Sequence, residues 1–305
     1  MTTVRLVSRK SPLALVQARR VGALIEALDP GFKVEIVTVE TRGDVRPDLP
    51  ISTLGSQGVF VAEVERAVLE GAGDIAVHSA KDLPSSAPEL GLVLAAVPER
   101  ADARDALIGN RLYDLAAGAV VATGAVRRRA QLASVRPDLC FTELRGNIGT
   151  RLDKVPEGGA AVVALAAIER LGLTDRVTEV LSSEVMLSQV GQGALALRCR
   201  EDDTSSLELC AALDDPVVSR AVRSERSFLA TLGGGCDAPV AAFARCDDFA
   251  SPIQLEAMIA SEDGHVIVRG SLVGTDPESL GAALAEHLLS DSGGRALLNS
   301  SAARR

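Results

Sequence analysis

The order of apolar and polar positions divides the chain into short alternating or wholly apolar runs and longer amphipathic ones. VRLVS (4–8) predicts a strand. Ser11 then stands where a helix N-cap is wanted, with Pro12 at the first helical position. Val21, Leu24, Ile25 and Leu28 give that helix one apolar face. KVEIVTV (33–39) alternates as a strand does, and a second helix is predicted from near Val59 with Val61, Val64 and Val68 inward. DIAVHS (74–79) and LVLAAV (92–97) predict buried strands. This βαβ alternation implies a parallel-rich sheet covered by helices.

The pattern restarts after PERADARDA (98–106). AVVAT (119–123), LCFTEL (139–144) and AAVVALA (160–166) predict strands, with helices over Arg127–Val135 and Asn147–Lys154 and one ending near Leu171. The glycines of VGQGALALRCR (190–200) suit a hinge. From about 215 the order changes to a helix (217–232), three strands (240–245, 253–259, 265–272) and a closing helix (277–289). That predicts a small α+β domain behind two α/β units.

At 305 residues the chain is long for one core. It has no Trp, one Tyr and six Phe, too few for base-stacking platforms. The net charge of −9 also argues against a nucleic-acid binder. The five cysteines include no C-x-x-C, and the three histidines have no metal-ligand spacing, so neither a disulfide framework nor a metal site is expected. Cys140 and Cys199 sit among apolar residues and are expected to be buried. MTTVRLVSRK lacks an apolar signal region, and AAVVALAAI (160–168) is too short to span a bilayer. A cytoplasmic protein with no membrane partner is expected.

Three stretches carry candidate chemistry. Residues 119–154 hold Arg127, Arg128, Arg129, Arg136, Arg145, Arg151 and Lys154 against Asp138, Glu143 and Asp153. These positions fall where strands give way to helices, the edge at which α/β sheets bind ligands and helix N-termini favour anions. The stretch reads as an anion site or as a solvated basic face. In DIAVHSAKDLP (74–84), Lys81 is a Schiff-base lysine, an anion clamp or a surface residue. Asp82 is a general acid/base or a turn residue, and His78 a packed strand-end residue or a catalytic one. GGGCDAP (233–239) sets Cys236 in a glycine loop, where a thiol is an accessible nucleophile or a chance turn residue.

Taken in order, SRKSPLALVQA (8–18), TRGD (41–44), DIAVHSAKDLP (74–84), PERADARDAL (98–107), VRRRAQL (126–132), LRGNIGTRL (144–152), ERLGL (169–173), VGQGALALRCR (190–200) and GGCDAP (234–239) resemble the hydroxymethylbilane synthase (porphobilinogen deaminase) family over nearly the whole chain. The resemblance implies a transferase that condenses four porphobilinogen molecules head to tail, loses ammonia at each addition, and releases the linear tetrapyrrole hydroxymethylbilane by hydrolysis. It implies a dipyrromethane cofactor, self-assembled and held through a thioether to Cys236, and Asp82 as the catalytic carboxylate. Arg9, Arg127, Arg128, Arg145, Arg151 and Arg170 match carboxylate clamps, with Lys81 assisting; Ser11, Gln17, Ser79, Thr123, Gly146, Asn147 and Gln192 match the remaining contacts.

The implied fold is two α/β lobes like those of periplasmic binding proteins, with the active site between them, and a C-terminal α+β domain with a three-stranded sheet. The expected division is 1–99 with 193–214, then 100–192, then 215–305, and the expected state is a monomer. Three positions depart from the family's pattern: Ala122-Thr123-Gly124-Ala125 lacks two hydroxyls, Gln57 replaces a frequent lysine, and Gly159 replaces a frequent acid. The alternative is a non-catalytic two-lobed ligand-binding protein of the same architecture. A Schiff-base lyase using Lys81 would be trapped by borohydride.

Overall fold

The computed structural model describes residues 2–40, 61–85, 91–233, 238–290 and 292–302; TRGD (41–44), Gln57 and Cys236 lie outside the described residues. Strand β1 (Thr2–Arg9) runs into helix α1 (Pro12–Leu28), and Ser11 caps it by accepting the Ala14 amide at 3.4 Å. Val21 and Ile25 of the predicted apolar face are fully buried, but Leu28, the last residue of α1, is 47% exposed. Next come β2 (Phe32–Val39), α2 (Ala62–Leu69), β3 (Ile75–Ser79) and β4 (Leu92–Ala96). Val61, Val64 and Val68 point inward as predicted.

The middle of the chain supplies β5 (Asp105–Gly109), β6 (Val120–Ala122), α3 (Val126–Val135), β7 (Cys140–Thr142) and α4 (Ile148–Leu152). It continues through β8 (Ala160–Ala164), α5 (Leu165–Arg170) and β9 (Glu179–Val180). β10 (Leu195–Arg200), α6 (Thr204–Leu213) and α7 (Pro216–Leu232) follow. The chain ends with β11 (Val240–Arg245), β12 (Ile253–Ala260), β13 (Ile267–Gly274), α8 (Pro277–Ser290) and α9 (Gly294–Ala302). Strand β5 and helices α6 and α9 were not legible in the pattern, and the strand expected over 160–166 turns into α5 at Leu165.

The chain forms two compact units, 1–101 with 194–219, and 102–193 with 220–305. The first holds a five-stranded sheet of order β2-β1-β3-β10-β4. β1 runs parallel to β2 and β3, and β10 lies antiparallel between β3 and β4. Leu6, Ile75 and Leu197 pack with Ile25 of α1 on one face, while Val7 and Ala76 pack with Val64 and Val68 of α2 on the other.

The second unit repeats this plan as β7-β6-β8-β5-β9. β6 is parallel to β7 and β8, and β5 is antiparallel to β8 and β9. Each sheet thus holds one strand, β10 or β5, that runs against the others; the sequence reading predicted neither as a strand, and an apolar pattern does not encode a strand's direction. β7 lies at the sheet edge, which is why Cys140, expected to be buried, is exposed; Cys199, in β10, is fully buried as expected.

The second unit also holds the antiparallel sheet β11-β12-β13, covered by α7 and α8 through Phe228, Leu284 and Leu288. Its Ala241, Met258 and Ala260 pack on Ala130 of α3. Arg269 fastens the same face by donating to the Glu184 carbonyl at 2.8 Å. The architecture is therefore two α/β sheets of one strand plan with a small three-stranded α+β domain, as expected. Among the described residues no helix is long and apolar enough to cross a membrane.

Candidate functional site

Each unit places polar residues at the carboxyl edge of its parallel strands, where α/β sheets bind ligands. In the first unit, β1 ends at Arg9 and β3 at Ser79. Gln17 of α1 is 4% exposed and donates through Nε2 to Ser79 Oγ at 2.7 Å. After β3 the chain makes one 3-10 turn over Ala80–Asp82, anchored by the Ala80 amide on the Ala194 carbonyl at 3.0 Å. Lys81 is half-buried and Asp82 exposed. Arg9, Ser11, Gln17, His78, Ser79 and Asp82 line one pocket. The structure thus joins six of these sequence-picked positions, and the turn reading and the acid/base reading of Asp82 are compatible.

His78 is buried, and its Nε2 has no hydrogen-bond partner among the described residues. Burial, then the Arg198 and Arg9 cations, pull its pKa down to about 3, so it is neutral across the ordinary pH range.

In the second unit the α3 arginines turn inward. Arg127 and Arg128 are 4% and 5% exposed. Both meet Asp105, which is fully buried at the start of β5. Arg127 Nη1 reaches Asp105 Oδ2 at 2.8 Å, and Arg128 Nη2 reaches Oδ1 at 2.7 Å. Gln192 ties the cluster together: its Nε2 donates to Asp105 at 2.9 Å and to the Ala103 carbonyl at 2.7 Å, while its Oε1 accepts from Arg127 at 3.1 Å. Burial alone would raise the Asp105 pKa, but the two guanidinium groups override it and hold the carboxyl well below the usual range.

Two arginines against one aspartate leave one net positive charge. Arg127 Nε has no partner among the described residues, and Arg127 lines a second pocket with Leu229, Ala238 and Val240, beside one end of the cysteine loop.

The other clamp candidates lie around β7 and α4. Asn147 caps α4 by accepting the Thr150 amide at 3.0 Å. Arg151 Nε donates to the Gly146 carbonyl at 2.8 Å, and Arg145 pairs with Glu143 at 3.3 Å. Arg170 donates to the Gly193 carbonyl at 2.8 Å. Thr123 is buried and accepts the Ala125 amide at 3.3 Å. Two departures have packing reasons. A Cβ at Gly124 would stand 2.8 Å from the Leu144 carbonyl oxygen, and one at Gly159 only 2.1 Å from that of Val120. Neither position admits a side chain on this backbone.

Sequence reasoning missed Asp105, because nothing along RADARDA distinguishes it from Asp102, which stays partly exposed. It also missed Glu225, fully buried on α7, whose carboxylate accepts the Gly191 amide at 2.7 Å and the Ala244 amide at 2.8 Å. The glycine-rich 191–193 segment is thereby tied to β11.

A family profile described as porphobilinogen deaminase, dipyromethane cofactor binding domain, matches residues 4–208, and one described as porphobilinogen deaminase, C-terminal domain, matches residues 219–290. The porphobilinogen deaminase of Roseiflexus castenholzii is 46% identical over 298 residues, 95% of this chain and 97% of that one. That of Bacillus pumilus is 41% identical over 305 residues, 98% of this chain and 97% of that one. Among solved structures, the methionine-binding protein MetQ matches 76% of this chain and 94% of its own at 14% identity, with a TM-score of 0.43.

Proposed function

Since the chain belongs to the porphobilinogen deaminase family, we propose a division of labour among its own residues for that family's reaction. It is a hydroxymethylbilane synthase, a transferase that condenses four porphobilinogen molecules into a linear tetrapyrrole with loss of ammonia. Residues 4–208 match a dipyrromethane-binding domain, so that cofactor belongs to the protein, and a non-catalytic binder is set aside. In our reading the cofactor is joined through a thioether to Cys236. The protein acts in the cytoplasm as a monomer, without nucleic acid or membrane. It divides as 1–99 with 193–214, 100–192 and 215–305, a division supported by the three separate sheets.

The residues present fit such a group. Each pyrrole ring carries an acetate and a propionate, so the ligand is a polyanion in need of fixed cations. Arg127 and Arg128 are held by Asp105, Gln192 and the Leu187 and Val162 carbonyls, so their guanidinium planes are oriented before any ligand arrives. Arg127 lines the pocket beside Ala238 and its buried Nε is unpartnered among the described residues, and this is the observation that carries the assignment of this wall to the cofactor. Arg9, with Ser11 at the α1 N-terminus, forms a second carboxylate seat. Arg145, Arg151 and Arg170 with Lys81 add charge, and Ser79, Thr123, Gly146, Asn147 and Gln192 add polar contacts.

Bound dipyrromethane supplies the pyrrole carbon to which the first substrate unit is joined. Asp82, exposed in the pocket with Arg9, does the chemistry on the protein side. Its Oδ atoms accept substrate pyrrole N–H hydrogen bonds and stabilise the positive charge that grows on the ring as the bond to ammonia breaks. They also receive and return the proton at the reacting position. Asp82→Asn keeps the shape and removes the charge. We expect turnover to fall by at least about a hundredfold, with cofactor still attached by intact mass. Normal turnover by that variant would remove Asp82 from the mechanism.

A further inference from the structure

A buried polar atom without a partner is rare in folded proteins and asks for an explanation. In the first unit three such atoms share one face of the sheet: His78 Nε2, Arg198 Nε and Arg198 Nη2. β3 alternates, so His78 lies with Ala76 on the face covered by α2, opposite Ile75 and Val77. Arg198 is diagonal to His78 on the neighbouring strand, since Ala196 pairs with His78 and Arg198 with Ala76. Arg198 Nη1 is already engaged by Glu65 of α2. Arg9 lies two positions beyond Val7 on β1 and so shares this face.

His78 is 5% exposed, and it lines the same pocket as Arg9, Ser11 and Ala14. That pocket therefore opens on the first turn of the 17-residue helix α1. The helix end and Arg9 both favour an anion there. One carboxylate needs no second buried cation, which would be left in excess. A neutral imidazole supplies a directional N–H without adding charge, and burial with two arginines nearby keeps His78 neutral.

We propose that His78 is a ligand-binding residue whose Nε2–H donates to the acetate or propionate carboxylate of a pyrrole ring seated beside Arg9 at the α1 N-terminus. This rests on the reading of that pocket as a pyrrole site. The carboxylate comes from the cofactor or from the incoming substrate, which carry the same side chains.

The test uses the full chain with His78→Met, which fills the space without a donor, and His78→Gln, which keeps an N–H. Apoprotein of each is incubated with porphobilinogen, cofactor loading is followed by intact mass, and KM and kcat are then measured on loaded protein. We expect His78→Met to slow loading or to raise KM by about tenfold with kcat unchanged, and His78→Gln to restore most of the loss. Slow loading assigns the bond to the cofactor, and a raised KM assigns it to the substrate. If His78→Met loads and binds as the parent while Arg9→Leu does not, the inference is overturned and the pocket stands. If Arg9→Leu is also silent, the pocket reading fails and the inference with it. Should His78→Met not fold, 15N-histidine spectra of the parent decide. A His78 Nε2 resonance that moves on loading supports the bond, and one that stays still overturns it.

Discussion

The two α/β sheets share one strand plan and put it to opposite electrostatic uses. At the edge of the first sheet Asp82, the carboxylate we propose for the chemistry, is exposed, and the buried neighbour, His78, is uncharged. At the edge of the second the charges themselves are buried, Asp105 clamping Arg127 and Arg128 in a network completed by Gln192. A reacting carboxylate must remain free to meet successive substrates. A cation that holds a polyanion gains from being fixed in advance. The same backbone edge serves both needs because strand direction and helix N-termini place the residues, while burial decides their mobility.

The contrast can be broken from either side. Against the hundredfold loss of turnover expected for Asp82→Asn, with melting unchanged, stands Asp105→Asn. That variant leaves two buried guanidinium groups without an anion, and we expect it to lose about 3–5 kcal/mol of stability in chemical denaturation. A stable Asp105→Asn protein would mean the arginines are held by their carbonyl partners alone.

A smaller effect sharpens the comparison through pH. Both groups have lowered pKa values in the folded state. The unfolded chain therefore binds the extra proton, and stability falls as pH drops. For His78 the fall begins near its ordinary value of 6.5 and ends near 3. Burial is the main cause, deepened by Arg198 from β10 and then Arg9 from β1; Glu65 from α2 faces this cluster as the ion-pair partner of Arg198. For Asp105 it begins in the ordinary carboxylate range and continues below it. His78→Met should flatten the upper part of the acid-stability curve and leave the lower part intact. An unchanged upper part would show that His78 is protonated in the native protein.

Much of this was readable in advance. Ser11 and Pro12 announced α1, the unbroken AAVVA run announced β8, and the motifs located Asp82 and the α3 arginines. What was hidden depends on contacts between distant segments. The reversed direction of β5 and β10, the edge position that exposes Cys140, and the burial of Asp105 and Glu225 arise only when residues from different parts of the chain meet. The run RRR (127–129) shows the limit well: read along the chain it is a basic face, but in the fold two of the three arginines are core residues.

The central claim is that Cys236 carries a covalent dipyrromethane. Its most direct test is the intact mass of the denatured protein, before and after incubation with porphobilinogen, beside a Cys236→Ala variant. The account predicts an added mass of two porphobilinogen units less two ammonias in the parent and none in the variant. A parent that stays unmodified after incubation, or a variant that still gains the mass, would contradict it.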